Sequence, residues 1–238
     1  MTALEGQVAI ITGAGSGIGE AICLRLAAMG AVLGLVGRNA ANLERVQSAI
    51  EGLGGKADIF PCDLQDAASV AKLGETIGER YGRCDILVNN AGVAIAGRPL
   101  HELAVEDWET MSATNLRGPY LMIRAFAPMM IAAGRGHIAN ISSLAGHNPV
   151  ANAAAYSATK WGLNGLTYSV AEELRPHGIR VSAVAPGSVN TRFGGGASGK
   201  NAEKKIQPDD IAHVVAMLVT QAPQSFVSEV LVRPTQKP

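Results

Sequence analysis

The sequence predicts one α/β domain built on a doubly wound, seven-stranded parallel sheet with helices on both faces. Short apolar runs rich in valine and isoleucine alternate with longer amphipathic stretches, which is typical of parallel strands covered by helices. The chain has 238 residues, a length that suits one such domain. No shift in composition divides it, so we expect residues 1–238 to form a single unit.

The seven apolar runs each have the length of a buried strand, and turns or helical patterns separate them. The predicted strands are 8–12, 31–36, 57–60, 86–88, 137–141, 181–185 and 229–232. The predicted helices are 19–29, 41–53, 67–81, 106–133, 156–175 and 208–220. The helices 106–133 and 156–175 are apolar on more than one side, which favours a homo-oligomer, a dimer or a tetramer, formed through them.

Charge and composition argue against several classes of partner. Twenty basic residues balance twenty acidic ones, and no Lys/Arg-rich stripe indicates a nucleic-acid or anionic-membrane surface, so a small-molecule partner is expected. The start of the chain lacks a basic region followed by an apolar run, and the apolar stretch 125–133 is well below the ~20 residues that cross a bilayer. Neither a secretion signal nor a membrane span is expected.

The cysteines and histidines do not have the spacing of metal ligands. Cys23, Cys62 and Cys84 are odd in number and form no redox pair motif, which favours free thiols in a reducing compartment and a cytoplasmic location. The five histidines are scattered along the chain, so no metal site is predicted.

A glycine-rich turn lies between the first predicted strand and the first helix. It reads Thr-Gly-Ala-Gly-Ser-Gly-Ile-Gly over residues 12–19. Glycines allow a tight turn and the close approach of a phosphate, while a helix amino end presents unpaired N–H groups to a pyrophosphate. This strand-turn-helix context predicts a dinucleotide site that includes the following residues: Gly13, Gly15, Ser16, Gly17, Ile18 and Gly19.

The end of the second strand indicates which dinucleotide is bound. An NAD-preferring site usually has an acid there, whereas this chain has Gly37 followed by Arg38. The guanidinium suits a 2′-phosphate, which favours NADPH/NADP⁺ over NADH. After the third strand, Asp63 can accept from the adenine amino group or cap the next helix, and Leu64 is assigned to the same cofactor site.

A third group of residues fits either catalysis or an ordinary surface helix, and the other motifs of the chain decide between the two. Tyr156 and Lys160 are four residues apart in a predicted helix, and therefore on one face, with Ser143 upstream. An adjacent ammonium lowers the pKa of a phenol from its ordinary value near ~10, so Tyr156 can exchange a proton with a carbonyl oxygen that a serine hydroxyl orients.

Together with Asn89-Asn90-Ala91-Gly92, Asn115 and Pro186-Gly187, these motifs stand in the order found in the short-chain dehydrogenase/reductase family, which the chain resembles over almost its whole length. The resemblance implies a Rossmann fold and a carbonyl reductase or alcohol dehydrogenase. It implies that Tyr156 is the acid or base, Lys160 lowers its pKa and holds the nicotinamide ribose, and Ser143 positions the substrate.

The resemblance also assigns residues that the pattern alone leaves unassigned. Asn115, at a helix kink, completes a catalytic tetrad with Ser143, Tyr156 and Lys160. The resemblance implies that it holds a water that links Lys160 to solvent. Asn90, Ala91 and Gly92 line the adenosine side of the cofactor. The nicotinamide carboxamide is held by the turn after the sixth strand, whose assigned residues are Pro186, Gly187, Val189 and Thr191.

The sequence departs from the 3-oxoacyl carrier-protein reductases of this family in three places. It lacks their Asp-Gly-Gly tail after the last strand, its lid over about 190–207 is short and glycine-rich, and the basic residues that dock a carrier protein are only partly matched. We expect a flexible substrate loop and an open pocket. For His147, just past Ser143, the two alternatives are a contact with the substrate and a solvent-facing position at the rim, of which the rim is favoured.

The sequence does not identify the substrate, because the shape of the substrate pocket depends on three loops whose conformation a sequence predicts poorly. These loops are 94–100, 144–151 and 194–205. The first hypothesis is an NADPH-dependent reductase of a ketone or aldehyde, including 3-oxoacyl thioesters. The alternatives are an NAD-linked alcohol dehydrogenase, which Gly37 and Arg38 disfavour, and a non-catalytic dinucleotide-binding module, which the intact tetrad disfavours.

Overall fold

The computed structural model describes residues 2–195 and 201–236, and its seven strands form one parallel sheet. The strands are β1 (Val8–Thr12), β2 (Val32–Gly37), β3 (Lys56–Pro61), β4 (Ile86–Asn89), β5 (Gly136–Ile141), β6 (Ile179–Pro186) and β7 (Glu229–Val232). Their order is β3-β2-β1-β4-β5-β6-β7, and every neighbouring pair is parallel. The predicted α/β class and all seven predicted strands are confirmed.

Seven α-helices connect the strands. They are α1 (Gly17–Ala28), α2 (Ala40–Gly52), α3 (Ala67–Tyr81), α4 (Val105–Ser112), α5 (Gly118–Ala133), α6 (Ala154–Leu174) and α7 (Pro208–Val219). The predicted helix 106–133 is divided into α4 and α5 by a π-helical segment, Ala113–Arg117, which lies at the kink that the family resemblance implies at Asn115. Such segments widen the backbone hydrogen-bond ring by one residue and often occur at functional sites.

The side chains of the strands alternate between two cores, one on each face of the sheet. On one face Ala9 and Ile11 pack against apolar residues of α1, α2 and α7. On the other face Val8 and Ile10 pack against α3, α5 and α6. Because successive strand residues point to opposite faces, an apolar run with both faces covered becomes a fully buried strand. All five residues of β1 are buried.

A buried polar chain fixes α6 relative to the sheet. Asn89 Nδ2 donates to Asn140 Oδ1 at 2.8 Å, and Asn140 Nδ2 donates to Thr167 Oγ1 at 2.9 Å. All three residues are buried, so a lost partner leaves a desolvated amide or hydroxyl behind. The chain of bonds links β4 and β5 to α6, the helix that carries Tyr156 and Lys160.

The described residues contain neither a membrane-spanning helix nor a metal-binding cluster. Across 2–195 and 201–236, no helix is long and apolar enough to cross a membrane. Over the same ranges, no group of three or more His, Cys, Asp or Glu side chains is arranged to hold a metal ion. The three cysteines are buried free thiols.

Helix α1 packs against the preceding turn at the distance that only glycine permits. A Cβ added to Gly19 lies 2.2 Å from the carbonyl oxygen of Gly13 and 2.6 Å from Asn90 Nδ2. In α3, by contrast, a Cβ added to Gly78 meets only the sulfur of Met129, at 3.8 Å.

We therefore expect the same substitution to have opposite effects at these two helical glycines. Gly19→Ala should lower the free energy of unfolding by about 1–3 kcal/mol, because backbone has to move. Gly78→Ala should raise it by about 0.5–1 kcal/mol, because alanine favours the helix and restricts the unfolded chain. Urea unfolding followed by circular dichroism measures both; equal effects contradict the packing described for Gly19.

Candidate active site

The glycine-rich turn and the amino end of α1 form one wall of an open cleft of about 750 Å³. Gly13 and Gly17 have φ angles of +65° and +57°, in the left-handed region that favours glycine. The N-cap residue Ser16 is extended and makes no side-chain capping bond, so the first N–H groups of α1 remain available to a ligand. This end of the cleft suits a pyrophosphate.

One carboxylate lines this cleft, and an arginine neutralises it. Arg45 of α2 donates to both carboxylate oxygens of Glu20, at 2.6 and 2.7 Å, and also to the carbonyl of Gly15 at 3.1 Å. The pair removes a charge that repels phosphate. Sequence reasoning missed both residues, because 25 positions separate them and only the packing of α1 on α2 brings them together.

The turn is held from behind by Thr12 and Asn90. The Thr12 hydroxyl accepts from the backbone N–H groups of Asn90 and Ala91, at 2.9 and 3.0 Å. The Asn90 side-chain amide donates to the carbonyls of Thr12 and Gly13, at 2.9 and 3.3 Å. Asn90 thus supports the glycine turn. Thr12 opens the predicted motif, but its central position in this network was not predicted.

A smaller cleft of about 150 Å³ lies beside the turn, at the carboxyl ends of β2 and β3. Gly37, Arg38, Asp63 and Leu64 line it together with Ala91 and Gly92. Arg38 is exposed and forms no ion pair with any residue of 2–195 or 201–236. Its guanidinium is therefore available to a phosphate at the mouth of this cleft.

One of the two roles predicted for Asp63, capping the next helix, is wrong. Its Oδ1 accepts from the backbone N–H of Gln65 at 3.0 Å, which shapes the turn after β3. The N-cap of α3 is Asp66, which accepts from Ala68 N at 3.0 Å, because the helix begins at Ala67. Asp63 is exposed at the cleft, where it can still accept a hydrogen bond from a ligand.

Tyr156 and Lys160 lie on one face of α6, as their spacing predicts. Lys160 Nζ is 5.8 Å from the centre of the Tyr156 ring and donates to the Ile141 carbonyl at 2.9 Å. Ser143 is the second residue after β5 and interacts with the Tyr156 phenol through its side chain. Ser143 Oγ also accepts from Ala145 N at 3.1 Å, which fixes the serine in place.

The pKa of Tyr156 shifts in the direction opposite to the one expected. Burial raises the pKa of the phenol above 10.0, and the hydrogen bond with Ser143 opposes that rise. Lys160 is 3% exposed, and burial lowers the pKa of its ammonium to about 8. The reason for the difference is geometric: Lys160 Nζ is directed to a backbone carbonyl, so desolvation dominates at the phenol.

Asn115 lies in the π-helical segment and is fully buried. Its side chain accepts from Val93 N at 2.8 Å, donates to Val93 O at 2.8 Å and donates to Thr159 Oγ1 at 3.1 Å. Asn115 therefore connects the segment after β4 to α6, next to Tyr156. The carbonyl-bound water implied by the family resemblance stays a prediction.

The segment after β6 reaches back over the glycine turn. Pro186 ends β6, Gly187 N donates to Val232 O at 2.8 Å, and Val189 forms an isolated bridge with Ile206. A Cβ added to Gly17 meets the Thr191 methyl group at 3.1 Å, so Thr191 lies directly against the turn. Residues 196–200 of the predicted substrate loop lie outside the described part of the chain.

His147 is partly buried and bonded within the protein, whereas a solvent-facing position was favoured for it. Its Nε2 lies 2.7 Å from Glu229 Oε1 and 3.1 Å from Asn164 Nδ2. Glu229 belongs to the edge strand β7 and also accepts from the Tyr168 hydroxyl at 2.7 Å. His147 therefore ties the segment after Ser143 to β7, a long-range contact that no local pattern signals.

Three comparisons identify the family. Residues 7–202 match the profile of the short chain dehydrogenase family. An uncharacterized oxidoreductase of Staphylococcus aureus strain MW2 is 33% identical over 234 residues, covering 98% of this chain and all of that protein. The chain therefore belongs to the short-chain dehydrogenase family of oxidoreductases.

Two solved structures share the fold over nearly the full length. A metagenomic short-chain oxidoreductase in complex with NADP is 52% identical with a TM-score of 0.89, covering 99% of this chain and 100% of that one. An alcohol dehydrogenase from the archaeon Thermococcus sibiricus, complexed with 5-hydroxy-NADP, is 32% identical with a TM-score of 0.91, and 98% of each chain is covered.

The buried Lys160 makes stability depend on pH. Its pKa is about 8 in the folded protein against 10.5 ordinarily, so between these values the unfolded chain binds more protons. Below pH 8 the buried ammonium lowers the free energy of unfolding by its full desolvation cost. That cost disappears as pH rises to 10.5, so the folded protein becomes more stable. Without bound nucleotide, wild type should gain roughly 2–3 kcal/mol over Lys160→Met between pH 7 and 10, because one pKa unit is about 1.36 kcal/mol.

Urea unfolding of both proteins at pH 7, 8.5 and 10 measures this difference and cancels the other titrating groups. Parallel stability curves contradict the lowered pKa of Lys160.

Proposed function

We propose that this protein is an NADPH-dependent oxidoreductase that reduces the carbonyl of a ketone or aldehyde to an alcohol. The convergence of Tyr156, Ser143 and Lys160 next to the glycine-turn cleft carries this proposal. The uncapped amino end of α1 and the neutralised Glu20 fit a dinucleotide phosphate. Gly13, Gly15, Ser16, Gly17, Ile18 and Gly19 would hold it, and Val189 and Thr191 would hold the carboxamide.

A bound reduced nicotinamide supplies the hydride for the carbonyl carbon. Tyr156 donates its phenolic proton to the developing alkoxide, and burial keeps the phenol neutral and able to donate. The Ser143 hydroxyl orients the carbonyl oxygen toward the phenol. Lys160 returns a proton toward Tyr156 and stabilises the phenolate that forms, a charge effect that is strong because its ammonium is almost fully buried.

Selectivity for NADPH rests on Arg38. No carboxylate stands at Gly37 to repel a 2′-phosphate, and Arg38 is exposed beside the adenine-side cleft. A guanidinium binds phosphate through charge-assisted hydrogen bonds. The NADP in the metagenomic relative and the 5-hydroxy-NADP in the archaeal one agree with this choice. NADP selectivity, with a neutral phenol, favours reduction over alcohol oxidation.

We also propose a homo-oligomer, a dimer or tetramer, formed through the helices at 106–133 and 156–175. Their outer faces expose large apolar side chains, namely Trp108, Tyr120, Ile131, Trp161 and Tyr168. Isolated exposed residues are ordinary, but several on adjacent helices favour an interface. Light scattering after gel filtration gives the mass.

Three buried free thiols favour a reducing, cytoplasmic location.

Removing the phenolic hydroxyl should abolish most turnover without loss of cofactor binding. Tyr156→Phe should lower kcat for ketone reduction about 10²- to 10⁴-fold, the usual contribution of a positioned acid. NADPH affinity, measured by fluorescence titration, should change little. Tyr120→Phe, which removes a hydroxyl from an exposed tyrosine of α5, is the matched control and should keep wild-type kcat. Unchanged turnover in Tyr156→Phe contradicts the catalytic assignment.

Removing the guanidinium should erase the preference between cofactors. Arg38→Ser should raise KM for NADPH roughly 10- to 100-fold, the value of a lost charge-assisted phosphate contact, while KM for NADH stays within about twofold. Arg175→Ser, at the surface end of α6, controls for net charge. A wild-type enzyme that prefers NADH argues against the proposed selectivity.

A further inference from the structure

An aromatic side chain, Phe193, stands at the end of the cleft that faces the catalytic tyrosine. It lies two residues after Thr191, the last residue assigned to the nicotinamide carboxamide. Its backbone N–H donates to Thr191 Oγ1 at 3.2 Å. Gly194, with a φ of +67°, turns the chain immediately after it. The ring is 47% exposed, so the fold does not require it as a core residue.

The Phe193 ring spans the gap between the two sides of the site. Its centre is 6.2 Å from the centre of the Tyr156 ring, at an interplanar angle of 57°. On the other side, a Cβ added to Gly92 lies 3.7 and 3.8 Å from two of its ring carbons. The ring thus connects α6 with the segment after β4.

The same cleft runs from the glycine turn to Phe193. Gly13, Gly15 and Gly17 line it together with Gly92, Thr191 and Phe193. A dinucleotide whose phosphates lie at the turn and whose reactive ring lies beside Tyr156 has to extend along this cleft. Its aromatic end then meets the position of the Phe193 ring.

We propose that the Phe193 side chain competes with the nicotinamide ring for the Tyr156 end of the cleft and has to move aside when NADP(H) binds. This proposal rests on the proposed function. The contact is suited to exchange, because a tilted aromatic pair with one half-exposed partner contributes only about 2- to 12-fold to an equilibrium. The adenosine end of the cofactor meets no such competitor, since Arg38 lines the smaller cleft, whose lining does not include Phe193.

Thr191 couples the two events. Its hydroxyl accepts from Phe193 N, and the family resemblance assigns the same side chain to the nicotinamide carboxamide. When the Thr191 side chain rotates toward the carboxamide, its hydroxyl moves away from Phe193 N, and the turn that holds Phe193 against Tyr156 loses a bond. Only the fraction of protein whose Phe193 ring is displaced can bind the whole dinucleotide. The apparent affinity for the dinucleotide is therefore lower than the affinity of that fraction.

The test compares a ligand that has a nicotinamide with one that lacks it. Isothermal titration calorimetry measures NADP⁺ and 2′,5′-ADP binding to wild type, Phe193→Ala and Phe193→Leu. We expect Phe193→Ala to bind NADP⁺ about 2- to 12-fold more tightly than wild type, Phe193→Leu to fall between them, and 2′,5′-ADP affinity to be equal in all three. Leu53→Ala, an exposed apolar truncation at the end of α2, should change neither ligand.

Three results overturn the proposal. Weaker NADP⁺ binding by Phe193→Ala shows that the ring holds the cofactor. Unchanged affinities for both NADP⁺ and 2′,5′-ADP show that the ring does not compete. An equal rise in both affinities shows a general effect on the loop. If wild type binds neither ligand, the proposed function fails as well. Binding of both with an unchanged ratio removes only the role given to Phe193.

Discussion

The hydrogen bonds that join Thr12 and Asn90 hold the carboxyl ends of β1 and β4 together, and the rest of the site depends on them. The two strands are neighbours in the sheet although they are separated by β2 and β3 in the chain. Connections on either side of this point lead away in opposite directions, which opens a crevice at the carboxyl edge of the sheet. One hydroxyl and one amide satisfy two N–H groups and two carbonyls there, so the glycine turn is fixed before any ligand arrives.

Burial decides the electrostatics of the site. The carboxylate nearest the glycine turn, Glu20, is paired with Arg45, while Arg38 stays without an ion-pair partner among the described residues. Around Tyr156 the polar groups are desolvated, which disfavours both the phenolate and the ammonium of Lys160. The Tyr156 phenol therefore stays neutral, Lys160 gives up its proton more readily than an exposed lysine, and a charge created at one group during reaction acts strongly on the other.

The sequence was informative wherever a local pattern carries the structure. Buried strands, the strand-turn-helix of residues 12–19 and the one-turn spacing of Tyr156 and Lys160 all depend on residues close in the chain. The family resemblance implied a kink at Asn115, but no local pattern predicted a π-helical turn there, because Asn115 is held by bonds to Val93 and Thr159, which are distant in the chain. The pKa direction of Tyr156 also failed, since it depends on where Lys160 Nζ is directed. The pairs Arg45–Glu20 and His147–Glu229, and the position of Phe193 against Tyr156, join distant parts of the chain and leave no periodic signal.

The central claim, hydride transfer from NADPH to a carbonyl carbon, is tested most directly with a cofactor carrying deuterium at both C4 positions. Purified protein is incubated with this cofactor and a panel of carbonyl compounds: a 3-oxoacyl thioester, a diketone, an aryl ketone and a bulky cyclic ketone. Mass spectrometry and NMR locate the label. The account predicts one deuterium on the carbinol carbon of each alcohol that forms. Alcohol formed without deuterium at that carbon, or no alcohol from any compound although NADPH binds, contradicts it.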